Sequence, residues 1–357
     1  MKQAASGGKL ARMLARLLPL LALLALPMPA HAAAHLVSPW PNAAQAEVRS
    51  EAARLQSRDP FTPGDVAGAP ARAVGAQLYL PLHAAPDHST PAVVLLHGSG
   101  GLIAERGERY GRELAGMGVA VLVVETYDSR RDMATSFIER VLNITETMFV
   151  ADAYAGLAYL ATRPEIDARH VVLAGFSYGG MAATYALYAQ MADQLAPRYP
   201  DGRRLLFAGH VAFYGPCVAR FRDSRTTGAP LLMLYGQQDE LMVPARCEEI
   251  ADDLRRGGSQ VTVIAYPGAV HQWDGAMPRG MIGRHLGDCS FMVEPNGSVV
   301  DRRTGLRMSG PFTRKLILGL CTTSQPYPIG RDEAVRMQSN RDFGAFLARV
   351  FAAPPVR

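Results

Sequence analysis

The sequence predicts an α/β protein with a mostly parallel sheet that helices cover on both faces. Two observations carry this prediction: short, continuous apolar runs rich in β-branched residues, and longer segments of helical spacing that alternate with them. Buried parallel strands have such uninterrupted apolar runs, and the alternation is that of successive βαβ units. The predicted strands span residues 76–80, 92–96, 119–124, 171–174, 211–214, 231–235 and 261–266.

Helices are predicted between these strands and near the end of the chain. Pro244 suits the first turn of its helix, where a residue needs no amide hydrogen bond. Between residues 275 and 331 the rhythm breaks, and Glu-Pro-Asn-Gly-Ser at 294–298 favours a hairpin turn. We therefore expect one domain over residues 76–357, with an insertion at 275–331 before the last helix. The predicted helices span residues 105–117, 146–162, 178–191, 244–255 and 332–351.

The first 32 residues have the pattern of a secretory signal peptide. Basic residues precede an apolar run at 17–26, and Ala30 and Ala32 are small residues suited to cleavage before Ala33. A retained membrane anchor is the weaker alternative, because a span needs about twenty apolar residues. We expect a secreted or periplasmic protein, in which an N-terminal arm over residues 33–75 precedes the domain.

The alkaline charge balance comes largely from this leader. The chain has 37 Lys and Arg against 32 Asp and Glu, a formal net charge of +5, and removal of the four basic residues among the first 32 leaves +1. A nearly balanced chain without a dense basic run is a poor candidate for nucleic-acid binding. No other apolar stretch is long enough to span a membrane, so we expect no membrane partner once the leader is removed.

Four cysteines lie in the C-terminal half: Cys217, Cys247, Cys289 and Cys321. Disulfides persist in exported proteins, and four cysteines allow three pairings. Cys217 and Cys247 follow neighbouring predicted strands, while Cys289 and Cys321 flank one insertion, which favours the pairs 217–247 and 289–321. A zinc site is the alternative, but neither a Cys-x-x-Cys pair nor clustered histidines supports it. We expect no metal and no cofactor.

Ser177 lies in the motif Gly-Phe-Ser-Tyr-Gly-Gly at 175–180, directly after a predicted buried strand. A strand, a tight glycine turn and a helix form a nucleophile elbow, which leaves the serine hydroxyl free to attack a carbonyl. The motif is short enough to occur by chance in a structural turn. A serine nucleophile also needs a base within hydrogen-bond reach and an acid that orients the base.

Asp239 and His271 occupy the loops after two later predicted strands, where functional groups of a parallel α/β sheet gather. They complete the order Ser, Asp, His along the chain, which predicts a catalytic triad. Each has an alternative interpretation. Glu240 could be the orienting acid instead, and His271 could be an ordinary surface histidine.

The loop His-Gly-Ser-Gly-Gly at 97–101 is a candidate oxyanion hole. Backbone amides must stabilise the oxyanion, and the amides of Ser99 and Tyr178 are the predicted donors. A phosphate-binding loop is the rival interpretation, but the Lys-Ser/Thr ending of such loops is missing.

Arg130 and Trp273 are candidate substrate-binding residues. Arg130 or Arg131, after the strand at 119–124, could bind a substrate carboxylate, although a solvated charge pair is the commoner role. Trp273, two residues after His271, could line an acyl pocket or pack the loop that carries the base.

Five motifs together resemble those of one known family. They are Leu-Leu-His-Gly-Ser-Gly-Gly at 95–101, Gly-Phe-Ser-Tyr-Gly-Gly at 175–180, Tyr-Gly-Pro-Cys at 214–217, Gly-Gln-Gln-Asp at 236–239 and Tyr-Pro-Gly-Ala-Val-His at 266–271. In these the chain resembles the dienelactone hydrolase branch of the α/β-hydrolase family, in a secreted form with a serine nucleophile. The resemblance covers about residues 75–266 and the last helix.

The resemblance implies an α/β-hydrolase fold and hydrolysis of small ester or lactone substrates without a metal. It implies that Ser177, Asp239 and His271 are nucleophile, acid and base. Cytosolic members of the branch use a cysteine nucleophile, and the insertion here is longer than the usual tail of the family. A peptidase of the same fold and a catalytically silent binding protein are the alternative functions, and the oligomeric state is left open.

Overall fold

Strands and helices alternate along the chain in the computed structural model, which describes residues 35–283 and 285–354. The predicted signal peptide lies outside the described residues. The strands are β1 (Val48–Arg58), β2 (Ala71–Pro81), β3 (Thr90–Leu96), β4 (Ala120–Val124), β5 (Ile166–Phe176), β6 (Gly209–Phe213), β7 (Ala219–Phe221), β8 (Leu231–Gly236), β9 (Val261–Tyr266), β10 (Gly280–Ile282), β11 (Phe291–Val293), β12 (Val299–Asp301), β13 (Arg307–Met308) and β14 (Tyr327–Ile329). The helices are α1 (Gly107–Gly116), α2 (Phe137–Asn143), α3 (Glu146–Ala161), α4 (Tyr178–Tyr185), α5 (Ala189–Leu195), α6 (Pro244–Arg256), α7 (Pro311–Cys321) and α8 (Glu333–Ala352).

Eight strands form the central sheet in the order β1-β2-β4-β3-β5-β6-β8-β9. The six from β4 to β9 run parallel, whereas β1 and β2 pair antiparallel at one edge. Alternate residues of β3 enter different apolar clusters: Val94 packs on the side of α3, and Leu95 on the side of α1 and α8. The predicted mostly parallel sheet with helices on both faces, an α/β-hydrolase architecture, is confirmed.

The N-terminal arm expected over residues 33–75 contains more of the sheet than predicted. β1 pairs with β2 over eleven residues, from Val48 opposite Pro81 to Arg58 opposite Ala71. Most β1 side chains are exposed or half-buried, and Leu55 alone among them is fully buried. An edge strand of this kind lacks the continuous apolar run by which the inner strands were predicted.

The predicted helix at 178–191 is two helices in the structure. α4 ends at Tyr185 and α5 begins at Ala189. Between them, the amide of Ala189 donates to the carbonyl oxygen of Arg225 in another loop, which diverts the chain.

The segment at 275–331 forms two small sheets beside the central one. β11 and β12 make the predicted hairpin, and β11 also pairs in parallel with β7. β10 pairs with β14 close to the end of β9. Disulfides join Cys217 to Cys247 and Cys289 to Cys321, as predicted. Within the described part of the chain, no helix combines the length and apolarity of a membrane span.

Candidate active site

Ser177 lies in the sharp turn between β5 and α4. Its backbone has φ 51° and ψ −112°, a strained conformation for a residue with a side chain. Glycines allow the close packing of this turn: a Cβ atom on Gly175 would lie 2.2 Å from the carbonyl oxygen of Gly179, and one on Gly179 would lie 2.5 Å from that of His97. This is the geometry of a nucleophile elbow.

A chain of hydrogen bonds joins Ser177 to His271 and Asp239. The Nε2 atom of His271 lies 2.9 Å from Oγ of Ser177, and its Nδ1 atom lies 2.7 Å from Oδ2 of Asp239. With Nδ1–H donating to the carboxylate, Nε2 is free to accept the hydroxyl proton. The three side chains are buried, and only 6 % of Ser177 is exposed.

The loops after β8 and β9 hold the acid and the base in place. The second carboxylate oxygen of Asp239 accepts a hydrogen bond from the amide of Leu241, 3.1 Å away. Glu240, the alternative acid, is exposed, and its neighbour Asp239 carries the bond to the imidazole. On the other side, the carbonyl oxygen of His271 accepts from the amide of Gly330, so the end of the insertion supports the base.

The loop after β3 lies against the nucleophile. The Gly101 amide donates to the carbonyl oxygen of Gly98 at 3.0 Å, which places Ser99 in the middle of a tight turn. A Cβ atom on Gly98 would lie 3.3 Å from the Cβ atom of Ser177, so the two segments touch. The amide of Tyr178 is the first of α4 and therefore has no acceptor within the helix. Both predicted oxyanion donors belong to segments that border Ser177.

His97 is a buried residue of this site for which the sequence motifs predicted no separate role. Its Nδ1 atom lies 2.8 Å from the carbonyl oxygen of Gly98, and its Nε2 atom accepts from the Tyr127 amide at 3.4 Å. Burial lowers the pKa of His97 to about 4, so the ring is neutral at pH 7. A neutral ring with both nitrogens engaged fixes the loop and is unsuited to act as a base. Its position at the start of the glycine-rich motif was the available sequence signal.

A second buried group supports the base loop and was missed from the sequence. Asp274 accepts hydrogen bonds from the Tyr214 hydroxyl at 2.5 Å and from Nε of Arg106 at 3.0 Å. Burial raises the pKa of Tyr214 well above its ordinary value, so its hydroxyl is a neutral donor. The Tyr214 ring also contacts the His271 ring edge-on, with centroids 4.7 Å apart. The signal for Asp274 was its place three residues after the base, whereas nothing in the sequence marked Arg106.

The substrate-binding role predicted for Arg130 is wrong in this structure. Its side chain is fully buried and makes two bonds to Asp152, of 2.7 and 2.8 Å, and one of 2.8 Å to Asp59. A guanidinium held in this way by two carboxylates is a structural ion-pair network without access to a substrate. Arg131 is exposed and pairs with Asp128, in the solvated role considered as its alternative.

Trp273 does not line a pocket beside Ser177. It is fully buried, its Nε1 atom donates to Oγ of Ser339 at 3.0 Å, and its ring packs edge-on against Tyr214 and Tyr266. It therefore has the second of the two roles considered, that of packing the base loop against α8. Among the described residues, no group of three or more acidic, histidine or cysteine side chains could hold a metal ion.

The sequence of this chain matches one known protein family. The sequence model of the dienelactone hydrolase family matches residues 80–279, more than half of the chain. A search of curated proteins found no match. Solved structures similar to this chain include three hydrolases at low identity.

The first is a putative dienelactone hydrolase from Klebsiella pneumoniae, 19 % identical, covering 63 % of this chain and 88 % of that one, with a TM-score of 0.46. The second is a dienelactone hydrolase-like promiscuous phosphotriesterase from metagenomic libraries, 21 % identical, covering 63 % and 84 %, with a TM-score of 0.47. The third is esterase 2 of Thermogutta terrifontis with bound propionate, 16 % identical, covering 65 % and 87 %, with a TM-score of 0.44.

Proposed function

The chain belongs to the dienelactone hydrolase family, and on that premise we propose that it is a serine hydrolase that cleaves carboxylic esters or lactones through an acyl-enzyme intermediate. The observation that carries this proposal is the unbroken set of hydrogen bonds from Asp239 through His271 to Ser177. A buried carboxylate, an oriented imidazole and a hydroxyl in an elbow turn are the parts that acyl transfer needs.

In the proposed reaction, Nε2 of His271 takes the proton of Ser177 as Oγ attacks the substrate carbonyl carbon. The amides of Ser99 and Tyr178 donate to the oxyanion of the tetrahedral intermediate. When the intermediate collapses, the bond to the leaving oxygen breaks and the imidazolium returns its proton to that oxygen. Water then attacks the acyl carbon and gives its proton to His271. As the bond between the acyl carbon and Oγ breaks, the imidazolium returns that proton to Oγ of Ser177, and the acid product is released.

The buried surroundings of Ser177 favour acyl transfer more than a solvent-exposed site would. Only 6 % of the serine is exposed, and aromatic rings pack around the two loops that flank it. Exclusion of water strengthens the hydrogen bonds to the oxyanion, because the local dielectric is lower than in bulk water. When the substrate is a lactone, the leaving oxygen stays tethered and the product is one hydroxy acid.

The two disulfides support the further proposal that the protein works in an oxidising compartment, outside the cytoplasm. Residues 1–32 would then be the export signal.

A fluorophosphonate probe tests the nucleophile directly. We expect the wild type to be labelled and Ser177→Ala to remain unlabelled, while the matched control Ser99→Ala keeps its labelling because only the backbone of Ser99 is used. Replacement of His271 by Ala should lower turnover of a p-nitrophenyl ester by about 10³-fold or more. Equal labelling of the wild type and Ser177→Ala would exclude the proposal.

A further inference from the structure

Large exposed apolar side chains are concentrated on one part of the surface. Of eleven such residues in the described chain, two lie on α2, three lie on α7 and one lies in the turn before β13. We call these six the α2–α7 surface: Phe137, Ile138, Leu306, Phe312, Leu316 and Leu320. Phe312 is 81 % exposed and Ile138 is 67 % exposed. Scattered apolar residues are ordinary on a protein surface, but a concentration of them marks an interaction site.

Helix α7 is apolar on both of its faces. Ile317, Leu318 and Cys321 face the protein and are buried. Phe312, Leu316 and Leu320 recur every fourth residue, so they form one row on the outer face. A helix that meets water ordinarily has a polar outer face, so this row indicates a partner that covers it.

The charged side chains on α7 and in the segment before it that lack an ion-pair partner are all basic. Arg302, Arg303, Arg307 and Lys315 are exposed, and none of them has a carboxylate partner within the described residues. The sequence holds no Asp or Glu between Asp301 and Asp332. An apolar helix face bordered by unpaired cations is the pattern of helices that lie on anionic lipid surfaces.

One acidic side chain, Glu139, lies on α2 and is committed to its helix. Its carboxylate accepts hydrogen bonds from the amides of Thr135 and Ser136, at 2.8 and 3.1 Å, in a capping box. The Cys289–Cys321 disulfide fixes the end of α7, so the row is held on a rigid support.

We propose that the α2–α7 surface docks the protein on a membrane surface rich in anionic phospholipid. A second copy of the chain would bring like charges together around a two-fold axis, whereas anionic headgroups complement them. The sequence predicts no membrane partner because it contains no second apolar stretch long enough to span a membrane, but a peripheral contact of this kind needs no span.

The two helices of the α2–α7 surface adjoin the segments that carry the proposed oxyanion donors. Arg140 of α2 lies beside the loop that carries Ser99, since a Cβ atom on Gly101 would be 3.5 Å from its Nη1 atom. Arg314 of α7 donates to the Tyr178 hydroxyl at 3.0 Å. The two docked helices therefore contact both proposed oxyanion segments.

Vesicle sedimentation tests the docking. The processed protein, with its N-terminus read by mass spectrometry, is mixed with vesicles of phosphatidylcholine alone or with an equal part of phosphatidylglycerol. We expect binding to the anionic vesicles that weakens at high salt. The double variant Phe312→Ser, Leu316→Ser should bind at least about tenfold more weakly, because two large apolar side chains no longer enter the lipid. The double variant Arg307→Glu, Lys315→Glu should lose about fivefold or more in affinity for the anionic vesicles with each charge that is reversed.

Matched controls separate docking from loss of fold and from catalysis. Leu82→Ser and Met337→Ser remove apolar side chains that are 42 % and 49 % exposed outside this surface, and both should bind as the wild type does. All variants should keep the wild-type unfolding temperature. The assay is repeated in the Ser177→Ala background, so its outcome is independent of the proposed function. Absence of binding to anionic vesicles, equal binding by the Phe312, Leu316 double variant, or a dimer in light scattering that this variant dissociates would overturn the proposal.

Discussion

Arg314, on the inserted helix α7, donates a hydrogen bond of 3.0 Å to the hydroxyl of Tyr178, the residue that follows the proposed nucleophile. Its guanidinium also binds Glu146 at the start of α3 through two bonds of 2.9 and 3.0 Å. Although burial opposes it, the charge of Arg314 lowers the pKa of Glu146 below its ordinary value. The insertion is thereby connected to the helix that begins at the elbow turn.

Replacement of Arg314 by Met should destabilise the protein. Glu146, whose side chain is only 17 % exposed, would lose its charge partner, which costs about 3 kcal/mol of unfolding free energy. Addition of Glu146→Gln to that variant should recover part of the loss, because no unpaired charge then remains. Urea unfolding of the two single variants and the double variant measures this, and simple additivity of the two losses would contradict it.

Replacement of Gly98 by Ala should slow ester hydrolysis without unfolding the protein. The new Cβ atom would lie 3.2 Å from the carbonyl oxygen of Phe176 and 3.3 Å from the Cβ atom of Ser177, so the loop that carries Ser99 must move. If the Ser99 amide serves the oxyanion, kcat should fall by about 10²-fold.

Gly100→Ala is the matched control in the same loop, because a Cβ atom there meets nothing within 4 Å. Equal kcat values for the two variants would show that the position of this loop does not limit the reaction.

Removal of the Cys289–Cys321 disulfide should lower the free energy of unfolding by about 3 to 4 kcal/mol, since it closes a loop of 32 residues. The Cys217–Cys247 disulfide closes 30 residues, and its removal should have nearly the same effect. Denaturant unfolding of the two double Cys→Ser variants compares them. A loss confined to one variant would mean that chain closure in the unfolded state does not account for the stabilisation.

Strands that are buried on both faces were predictable, and strands at the edge were not. Residues 92–96 and 231–235 are continuous apolar runs, and β3 and β8 include them in full. β1 consists mostly of polar and small residues, and most of its side chains are exposed or half-buried. Its pairing with β2 therefore depends on contacts that no local pattern encodes.

The residues of the site also differ in whether a local sequence pattern could predict their role. Ser177, Asp239 and His271 were singled out because each follows a predicted strand, and parallel strands bring such loops to one edge. Arg130 also follows a strand, but its partners Asp59 and Asp152 are 71 and 22 residues away in sequence. Its burial depends on these tertiary contacts. Arginines on such loops are commonly exposed, which favoured the solvent-exposed interpretation from the sequence.

Acid should destabilise the protein through His210, which lies fully buried at the start of the central strand β6 with its Nδ1 atom 2.9 Å from the carbonyl oxygen of Ala183. Burial lowers the pKa of His210 from 6.5 to about 4, so between these pH values the unfolded chain binds a proton that the folded protein does not. The contribution of His210 to the unfolding free energy is therefore present above pH 6.5 and is lost as pH falls toward 4, by about 3 kcal/mol.

His210→Asn should make the fall of unfolding free energy with acid shallower, as measured by urea titrations from pH 7 to 4. His170 is the matched control of opposite sign, because the hydrogen bond that its Nδ1 atom donates to the Asp167 carboxylate raises its pKa. Its contribution is therefore present below pH 6.5, and His170→Asn should make the fall steeper. Parallel curves for the wild type and His210→Asn would mean that His210 takes up its proton equally in both states.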